Sequence, residues 1–408
     1  MKPPRDKSDA LFRRATQVIP GGIYGHVAPA AALPEVFPHY AASAEGCRFR
    51  DLDGNEWLDF LCAYGASFLG HLDPEVEEAA ERQRRDGAVF NQPSSLMVEL
   101  AETLADRIDF AHWAVFAKNG SDVTTWAVRV AREHTGRAHV VKAQGAYHGV
   151  DAWCDPGFGG RIPADREHVR SFPWNDLDAL RDIVQDLEDD VAAIVLPPYD
   201  HASFAPSVLP AEGFWAGVEA LCRERGILLV LDDVRAGFRL HDGGSHRRFG
   251  FTPDLGCYGK ALGNGYALSA CLGREEYRKA ARNVFLTGSC WNDAVAQAAA
   301  LKCLELFPAR KVVETVDALG RRLAEGLEKA AAQHGFNLRM TGPSAMPFPW
   351  FPEDENLYLL QDFCAHCAES GVFFHPHHNW FLSGAHDEET VDQATTAAQK
   401  AFARMAEK

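Results

Sequence analysis

From about residue 73 onward, helical and strand patterns alternate along the chain, and this alternation constrains the fold more than any other feature. Amphipathic segments such as PEVEEAAERQRR and TTWAVRVAREHTG are interleaved with short apolar runs such as WAVFA, HVVKA, AAIVLP and ILLVL. Runs of this kind suit the strands of a parallel sheet that helices cover on both faces. We therefore predict an α/β fold with a mostly parallel sheet in a large domain, residues 73–299.

Two smaller α+β parts flank this large domain. Residues 8–18 have the pattern of a short amphipathic helix that IPGG at 19–22 ends, and GCRFRDLDGNEWLDFL indicates a hairpin around Asp53 and Gly54. From about residue 300, long amphipathic helices such as VVETVDALGRRLAEGLEKAAAQHG dominate. We predict that residues 1–72 are an N-terminal segment of a small domain and that residues 300–408 form a C-terminal small domain.

The composition disfavours several classes of partner. With 57 acidic and 41 basic side chains the net charge is −16, which argues against nucleic acid and anionic membranes as general partners. No apolar run approaches the roughly 20 residues of a membrane span. The ten cysteines form no regular framework, so we expect free thiols and a cytoplasmic protein. Cys364 and Cys367 fit one buried helix face, and we expect no metal site.

Two adjacent carboxylates follow the most apolar strand segment. In GILLVLDDVRAGFR, Asp232 and Asp233 come where the predicted strand ends. Ligands of open α/β sheets bind beyond the carboxyl ends of the strands, so an acid at this point is a candidate site residue. The alternative is that one acid caps a helix or pairs with Arg235 or Arg239 at the surface.

Lys260 stands in a glycine-rich and aliphatic setting, PDLGCYGKALGNGYALSA. A lysine there loses hydration, which lowers its pKa and frees the amine as a nucleophile towards aldehydes. The alternative is a lysine whose stem lies on apolar surface with its ammonium group in water. Neither GCYGKA nor GNGYAL matches a phosphate-loop or dinucleotide-binding motif, so a nucleotide ligand has no local support.

A possible phosphate site precedes the segment TTWAVRVAREHTG. Asn119, Gly120 and Ser121 come where this helix is predicted to begin, and unpaired amides, a hydroxyl and a glycine suit a phosphate. The alternative is an ordinary N-cap by Ser121 or Asp122. Further on, AQGAYHGV places an aromatic residue beside glycines after a strand pattern, where it can stack on a planar ligand or simply pack in the core.

Together these motifs resemble the class III (ω-type) aminotransferases, and among them the glutamate-1-semialdehyde aminomutase branch. The segments that carry the resemblance are, in order, VIPGGIYG, GCRFRDLDGNEWLDF, LGHLDPEV, NGSDVTTWAVRVAR, YHG, LDDVRAGFR, DLGCYGKALGNG and FLSGAHDEETVD. The resemblance implies a fold-type I enzyme that depends on pyridoxal 5'-phosphate (PLP). It also implies a homodimer with active sites at the subunit interface.

The resemblance assigns roles to single residues. Lys260 is expected to hold PLP as a Schiff base and then to carry a proton between the substrate carbon and C4′ of the cofactor. Asp232 is expected to pair with the pyridine nitrogen, and this pairing makes a buried carboxylate tolerable. Tyr147 and Val234 are expected on opposite faces of the ring, so the catalytic residues would be Lys260, Asp232 and Tyr147. The full set expected to bind the cofactor is Asn119, Gly120, Ser121, Tyr147, His148, Asp232, Val234, Lys260 and, from the partner subunit, Ser289 or Thr287, with Ser289 preferred by its spacing.

The chain departs from the family pattern in three places. After the P-G-G turn, PGGIYGHVAPA has His26 and Ala28 near the position of the arginine that is typical of the mutases, so we do not expect glutamate-1-semialdehyde as the substrate. Pro197 stands where the family has a glutamate at a strand end. Asp233 replaces the glutamate that is usual in its motif, and no role is assigned to it.

Candidate substrate contacts come from the two ends of the chain. The segment GVFFHPHHNWFLSG carries His375, His377, His378 and Asn379, which could bind an anionic or polyhydroxylated group. A metal site and a solvated loop are the alternatives for this cluster. The residues proposed to contact the substrate are Tyr24, His26, Tyr64, His377 and Asn379.

The sequence thus predicts a transaminase that moves an amino group between a small amino acid or amine and a keto acid or aldehyde. An aminomutase, racemase or lyase on the same fold stays open as the alternative, since the fold alone does not decide the reaction. A cofactor-binding scaffold without activity would be expected to lack Lys260 or Asp232, and both are present.

Overall fold

The computed structural model describes residues 3–25, 33–188, 190–201 and 203–407, and within it the chain divides into two compact units. The central unit comprises Pro74–Ala202 and Val208–Val313. The terminal unit comprises Met1–Asp73, Ser203–Ser207 and Glu314–Lys408, so it contains both ends of the chain. The domain boundaries given above stay a prediction.

The strands are β1 (Ala41–Glu45), β2 (Arg48–Asp51), β3 (Glu56–Asp59), β4 (Trp113–Ala117), β5 (His139–Ala143), β6 (Val169–Phe172), β7 (Val191–Leu196), β8 (Leu228–Asp232), β9 (Leu255–Tyr258), β10 (Ser269–Gly273), β11 (Arg339–Thr341), β12 (Phe348–Trp350) and β13 (Val372–Phe373). The α-helices are Asp6–Ala15, Pro74–Asp86, Ser95–Arg107, Gly120–Thr135, Leu177–Asp186, Phe214–Arg225, Ser245–Phe249, Arg278–Asn283, Ala294–Ala309, Val312–Gln333, Tyr358–Ala368 and Glu388–Met405, with a further short segment, Cys62–Gly65, described below.

The central unit is built on one seven-stranded sheet in the order β4-β10-β9-β8-β7-β5-β6. Strand β10 pairs antiparallel with both of its neighbours, and the other pairings are parallel. The predicted α/β fold with a mostly parallel sheet is therefore confirmed. The carboxyl ends of β8 and β9 lie side by side, because these two strands are neighbours and run in the same direction.

The sheet is buried on both faces because successive side chains of a strand point to opposite sides. In β7 and β8, Ala193 and Val230 belong to a core cluster with the helix Gly120–Thr135. The adjacent residues Ile194 and Leu229 belong to a second cluster, which includes apolar residues of the helices Leu177–Asp186 and Phe214–Arg225. Fully apolar strands are what this two-sided burial requires.

The terminal unit contains a sheet in the order β1-β2-β3-β13 and a hairpin of β11 and β12. Strands β2 and β3 pair antiparallel, which confirms the hairpin predicted around Asp53 and Gly54. Strand β13 adds to β3 in parallel, so a late part of the chain completes a sheet that an early part begins. Cys364 and Cys367 are buried on the helix Tyr358–Ala368, as core packing predicts.

The structure differs from the sequence prediction in detail. The first helix is Asp6–Ala15 rather than residues 8–18. The prediction also missed β6, β9 and β10, whose sequences VRSF, LGCY and SACLG mix apolar residues with polar residues or glycine and so lack a clear apolar run. In the part of the chain that the structure describes, no helix combines the length and the apolar character needed to cross a bilayer.

Candidate active site

A cavity of about 520 Å³ lies in the central unit where several strands of its sheet end. Lys260 follows β9, Asp232 is the last residue of β8, and Tyr147 comes shortly after β5. The predicted cofactor-binding residues that line this one cavity are Asn119, Gly120, Ser121, Tyr147, His148, Asp232, Val234 and Lys260. These residues are far apart in the sequence but lie close together, because the parallel strands that precede them end at the same edge of the sheet.

The helix Gly120–Thr135 begins at the cavity wall. Asn119 is its N-cap residue, and the carboxylate of Asp122 accepts a hydrogen bond from the backbone N–H of Asn119 at 2.8 Å. The N-cap is therefore neither Ser121 nor Asp122, although Asp122 takes part in the capping box. The hydroxyl oxygen of Ser121 accepts a hydrogen bond from the backbone N–H of Val150 at 3.1 Å. The first amides of a helix have no partner within it, which suits an anion at this place.

Gly120 allows a close approach between this helix start and the turn after β8. A Cβ atom at Gly120 would lie 2.8 Å from Cγ1 of Val234, closer than side-chain carbons pack. Any other residue at position 120 would push Val234 away. The glycine therefore keeps the predicted phosphate site and a predicted ring-packing residue next to each other.

Lys260 lines the cavity in a left-handed backbone conformation, with φ of +46°. Burial, and after it the nearby Arg235 cation, lower the pKa of its amine from 10.5 to about 7, while Asp232 opposes the shift. Lys260 is half-buried and lines the cavity, which agrees with the expected loss of hydration. A large fraction of the amine is neutral near pH 7, as a nucleophile requires.

Asp232 lines the cavity and is held by two hydrogen bonds. Its Oδ2 lies 2.7 Å from Nδ1 of His148, and its Oδ1 accepts a hydrogen bond from the backbone N–H of Val234 at 3.2 Å. His148 is itself buried and stacks on Trp153, with ring centroids 6.0 Å apart and planes 10° apart. The carboxylate is thereby oriented before any ligand binds.

Asp233 does not share this environment. It is completely buried and accepts hydrogen bonds from the backbone N–H of Ser245 at 2.9 Å and from its hydroxyl at 2.6 Å. Burial raises the pKa of Asp233 from 3.8 to about 7. Arg235 and Arg239 are buried as well, so the alternative of surface ion pairs for the two acids is wrong.

Among the cavity-lining residues that the sequence analysis did not assign to the site, two are in contact with each other. Arg235 and His201 line the cavity, and Nη1 of Arg235 donates a hydrogen bond to the carbonyl oxygen of His201 at 2.8 Å. His201 follows β7, the strand beside β8, in the segment IVLPPYDH. Its position after a buried strand was the available signal, because the same reasoning pointed to Asp232 after β8.

The proposed substrate contacts that the structure describes belong to the terminal unit. Tyr64 lies in the segment Cys62–Gly65, and its ring is 5.3 Å from that of His378. His377 and Asn379 are buried, like His375 and His378, so the solvated-loop alternative for this cluster is wrong. Tyr24 is 82% exposed. His26 lies outside the described residues.

The backbone of this segment is unusual. Cys62, Ala63 and Tyr64 have φ angles of +49°, +51° and +58°, and Gly65 continues at +83°. Just before it, Oδ1 of Asp59 accepts a hydrogen bond from the backbone N–H of Cys62 at 3.0 Å. Three residues with side chains thus adopt the left-handed conformation in succession, which a sequence without glycine at 62–64 gives no reason to expect.

Thr287 and Ser289 are both exposed in the segment between the helices Arg278–Asn283 and Ala294–Ala309. Neither lines the cavity of its own chain. The structure therefore does not bring these two hydroxyl groups together with the other predicted cofactor residues.

The cavity residues fit PLP chemically. A neutral lysine amine suits its aldehyde, a fixed carboxylate suits a protonated ring nitrogen, and the start of a long helix suits its phosphate. An exposed aromatic side chain, Tyr147, and the aliphatic Val234 line the same space and suit the two faces of a ring.

Comparisons with known proteins agree with this chemistry. A model of the aminotransferase class-III family matches residues 31–386. The chain is 41% identical to an aminopentol aminotransferase of Sphingopyxis macrogoltabida over 97% of this chain and 93% of that protein. It is 30% identical to a glutamate-1-semialdehyde 2,1-aminomutase of Methanothermobacter thermautotrophicus over 98% of this chain and 99% of that one.

A solved structure is also similar over nearly the whole chain. The FumI protein of Sphingopyxis sp. MTA144, in its PLP internal aldimine form, superposes with a TM-score of 0.96 at 41% identity and covers 98% of this chain and 96% of that one. The alignment therefore includes both units of the fold. From its cavity and these relatives, the chain belongs to the aminotransferase class-III family and is a PLP-dependent aminotransferase.

Proposed function

We propose that the cavity at Lys260 is the active site, where an amino group moves between a small amino acid or amine and a keto acid or aldehyde. The observation that carries the proposal is that Lys260, Asp232 and the start of the helix Gly120–Thr135 line one cavity. These are the three anchors that the aldehyde, the ring nitrogen and the phosphate of PLP need. When bound, PLP supplies an electron sink for the carbanion formed at the substrate.

Apart from Lys260, each residue predicted to bind PLP in this cavity has one role in the proposal. Asn119, Gly120 and Ser121 hold the phosphate, and Tyr147 and Val234 enclose the ring. Asp232 pairs with the ring nitrogen, and His148 keeps its carboxylate oriented through the 2.7 Å contact. The compensating charge of a protonated nitrogen makes the buried position of Asp232 favourable.

Lys260 has two tasks, and its environment suits both. Its neutral amine can bind the cofactor, and once it is released Nζ can take up a proton from the substrate carbon and return it later. A base works best when its pKa is close to the pH of the reaction. With a pKa of about 7, the amine of Lys260 exchanges protons readily near neutral pH.

The decisive experiment concerns Lys260. Borohydride reduction of the PLP-loaded enzyme, followed by peptide mass analysis, should place the cofactor on the peptide that contains Lys260. Lys260→Ala should lose this modification and lose turnover. Lys118→Ala is a matched control, because Lys118 is paired with Asp293 at 2.7 Å and does not line the cavity. Modification of another lysine in the wild-type enzyme would overturn the proposal.

The aminomutase relative supports a second candidate reaction, rearrangement or another use of the same carbanion. The two candidates differ in their need for an acceptor. A transaminase treated with an amino donor alone should stop with the cofactor in its pyridoxamine form, and a keto acid should restore the starting absorbance. A mutase, racemase or lyase should turn over without added keto acid.

For the amino donor, we propose that Tyr24, His26, Tyr64, His377 and Asn379 contact the substrate. The relative named aminopentol aminotransferase supports a hydroxylated amine as one class to test. Asn379→Ala should raise the KM for a hydroxylated amine more than the KM for an unsubstituted alkylamine. Equal changes for both amines would contradict a role in recognising hydroxyl groups.

We also propose a homodimer in which Ser289, or alternatively Thr287, of the partner subunit reaches the phosphate. Both residues are exposed on their own chain, which supports a role outside its cavity. Light scattering should give twice the mass of the 44.9 kDa chain. Ser289→Ala should weaken PLP binding while leaving the dimer intact, and Thr287→Ala is the matched comparison.

A cytoplasmic location is the last part of the proposal. All ten cysteines lie in the described part of the chain and are free thiols, which suits a reducing compartment. Cell fractionation with an antibody against the chain tests it.

A further inference from the structure

His201 carries a polar atom that the cavity leaves without a partner. The residue lines the cavity of Lys260 and is only 6% exposed. Among the described residues, its Nε2 atom has no hydrogen-bond partner. A buried polar atom without a partner is unfavourable, so a molecule bound in the cavity is the natural source of one.

The imidazole ring is held in place by buried neighbours. The carbonyl oxygen of His201 accepts the hydrogen bond from Nη1 of Arg235 at 2.8 Å. Its ring packs edge-on against that of Tyr199, with centroids 5.1 Å apart and planes at 78°. The first contact anchors the backbone of His201 and the second packs against its ring, so both limit the positions that Nε2 can take.

The ring is neutral at physiological pH. Burial holds the pKa of His201 well below its usual range, and the cations of Arg235 and Lys260 add to this shift. A neutral imidazole offers one donor and one acceptor nitrogen, and its tautomer decides which of them is Nε2. The partner that suits either tautomer is a hydroxyl group, because a hydroxyl can both donate and accept.

PLP has one polar ring substituent to which the proposed function assigns no partner. In the proposed function, the phosphate binds at the start of the helix Gly120–Thr135. The ring nitrogen pairs with Asp232, and the aldehyde binds Lys260. The ring hydroxyl of PLP is attached next to the carbon that bears the aldehyde, so a partner for the hydroxyl must lie near the lysine amine. The charge of Lys260 acts on His201, which agrees with such proximity.

His148 also has a buried Nε2 atom without a partner among the described residues. Its other ring nitrogen lies 2.7 Å from Asp232, so His148 belongs to the ring-nitrogen side of the cavity. His201 is the imidazole in the cavity that is not engaged with Asp232.

We propose that Nε2 of His201 forms a hydrogen bond with the ring hydroxyl of bound PLP and so fixes the ring beside Lys260. The proposal rests on the proposed function, in which Lys260 and Asp232 hold the same cofactor.

The test compares two ligands and several variants of the full chain. The cofactor-free protein is titrated with PLP and with the analogue in which hydrogen replaces the ring hydroxyl, and dissociation constants are read from absorbance. His201→Ala should weaken PLP binding about tenfold, which is typical for one hydrogen bond, and should change binding of the analogue by less than about twofold. His201→Gln should restore PLP binding, because its amide reaches the position of Nε2.

Two further variants distinguish the loss of the hydrogen bond at Nε2 from a general loss of stability. His201→Phe keeps a ring against Tyr199 and removes both nitrogens, so it should reproduce the selective loss for PLP if the alanine variant is unstable. Trp215→Phe is the matched control, because Nε1 of Trp215 is also buried without a partner among the described residues but lies outside the cavity. It should bind both ligands like the wild type.

If the His201 variants lost equal affinity for PLP and for the analogue, or lost no affinity for PLP, the proposed role of His201 would be overturned. Borohydride capture of PLP on Lys260 in the wild-type enzyme tests the proposed function separately. Capture on Lys260 together with an equal loss for both ligands would therefore remove only the role of His201.

Discussion

Asp232 and Asp233 are adjacent in sequence, yet they lie in two different regions of the molecule. Asp232 is 7% exposed, lines the cavity and contacts His148, whereas Asp233 lies in the core and accepts both of its hydrogen bonds from Ser245. Side chains alternate in direction along an extended strand, so neighbouring residues at its end diverge. Side-chain direction, rather than residue type, decides which acid can meet a ligand.

The strongest test of this difference is Asp232→Asn. An amide carries no charge to compensate a protonated ring nitrogen, so we expect kcat for transamination to fall by about 100-fold or more. Steady-state kinetics with a measured donor and keto acid would show the loss. A kcat within a few-fold of the wild type would mean that Asp232 is not the cofactor's partner.

Asp233→Asn should change stability and its pH dependence instead of activity. The pKa of Asp233 is raised from 3.8 to about 7, so between these values the folded state keeps a proton that the unfolded chain has released. The wild type therefore loses stability as the pH rises through this window, and the asparagine variant does not. We expect the free energy of unfolding of the variant, relative to the wild type, to rise by about 2–3 kcal/mol from pH 5 to pH 8.

Urea unfolding at the two pH values measures this change, and kcat near the wild-type value is the control. A relative stability that does not depend on pH would show that Asp233 is ionised throughout. A loss of kcat as large as that of Asp232→Asn would remove the contrast between the two acids.

His148→Ala should have an intermediate effect on activity. The carboxylate of Asp232 would lose its contact at 2.7 Å and with it part of its orientation, so we expect kcat to fall roughly tenfold. His246→Ala is a matched control, since His246 contacts Asp109 at 2.8 Å but does not line the cavity. Equal losses of kcat in the two variants would indicate a general loss of stability.

The smallest effect is expected for Ser245→Ala. This change removes the hydroxyl donor at 2.6 Å from Asp233 and keeps the backbone donor. We expect a loss of about 1 kcal/mol in the free energy of unfolding at pH 8, and less at pH 5, because a hydrogen bond to an ionised acceptor is the stronger one. Denaturation at the two pH values checks the prediction, and a larger loss at pH 5 would contradict it.

Much of the sheet could be predicted because its strands are buried on both faces. The runs WAVFA and HVVKA coincide with β4 and β5, and ILLVL covers all of β8 except Asp232. Strand β9 is four residues long and includes Gly256, and β10 begins with Ser269 and ends with Gly273, so neither has a pattern that distinguishes it from a loop. Local sequence specifies strands of this kind weakly, and tertiary contacts decide them.

Some residues of the candidate site could likewise be predicted from the sequence, and others could not. Lys260, Asp232 and Gly120 lie in motifs whose residue types indicate their chemistry, and the structure places all three at one cavity. His201 has no such motif, because it reaches the cavity only through the pairing of β7 with β8. Sequence alone also gives no side-chain directions, so it could not separate Asp232 from Asp233.

The left-handed backbone of Cys62, Ala63 and Tyr64 is one that D-amino acids adopt more readily than L-amino acids. An L-residue in this conformation costs roughly 1–2 kcal/mol, whereas its mirror image would adopt the same backbone without that cost. A semisynthetic protein with D-alanine at position 63 should therefore melt at a higher temperature than the natural chain. In this turn, the surrounding fold therefore holds L-residues in a backbone conformation that D-residues favour.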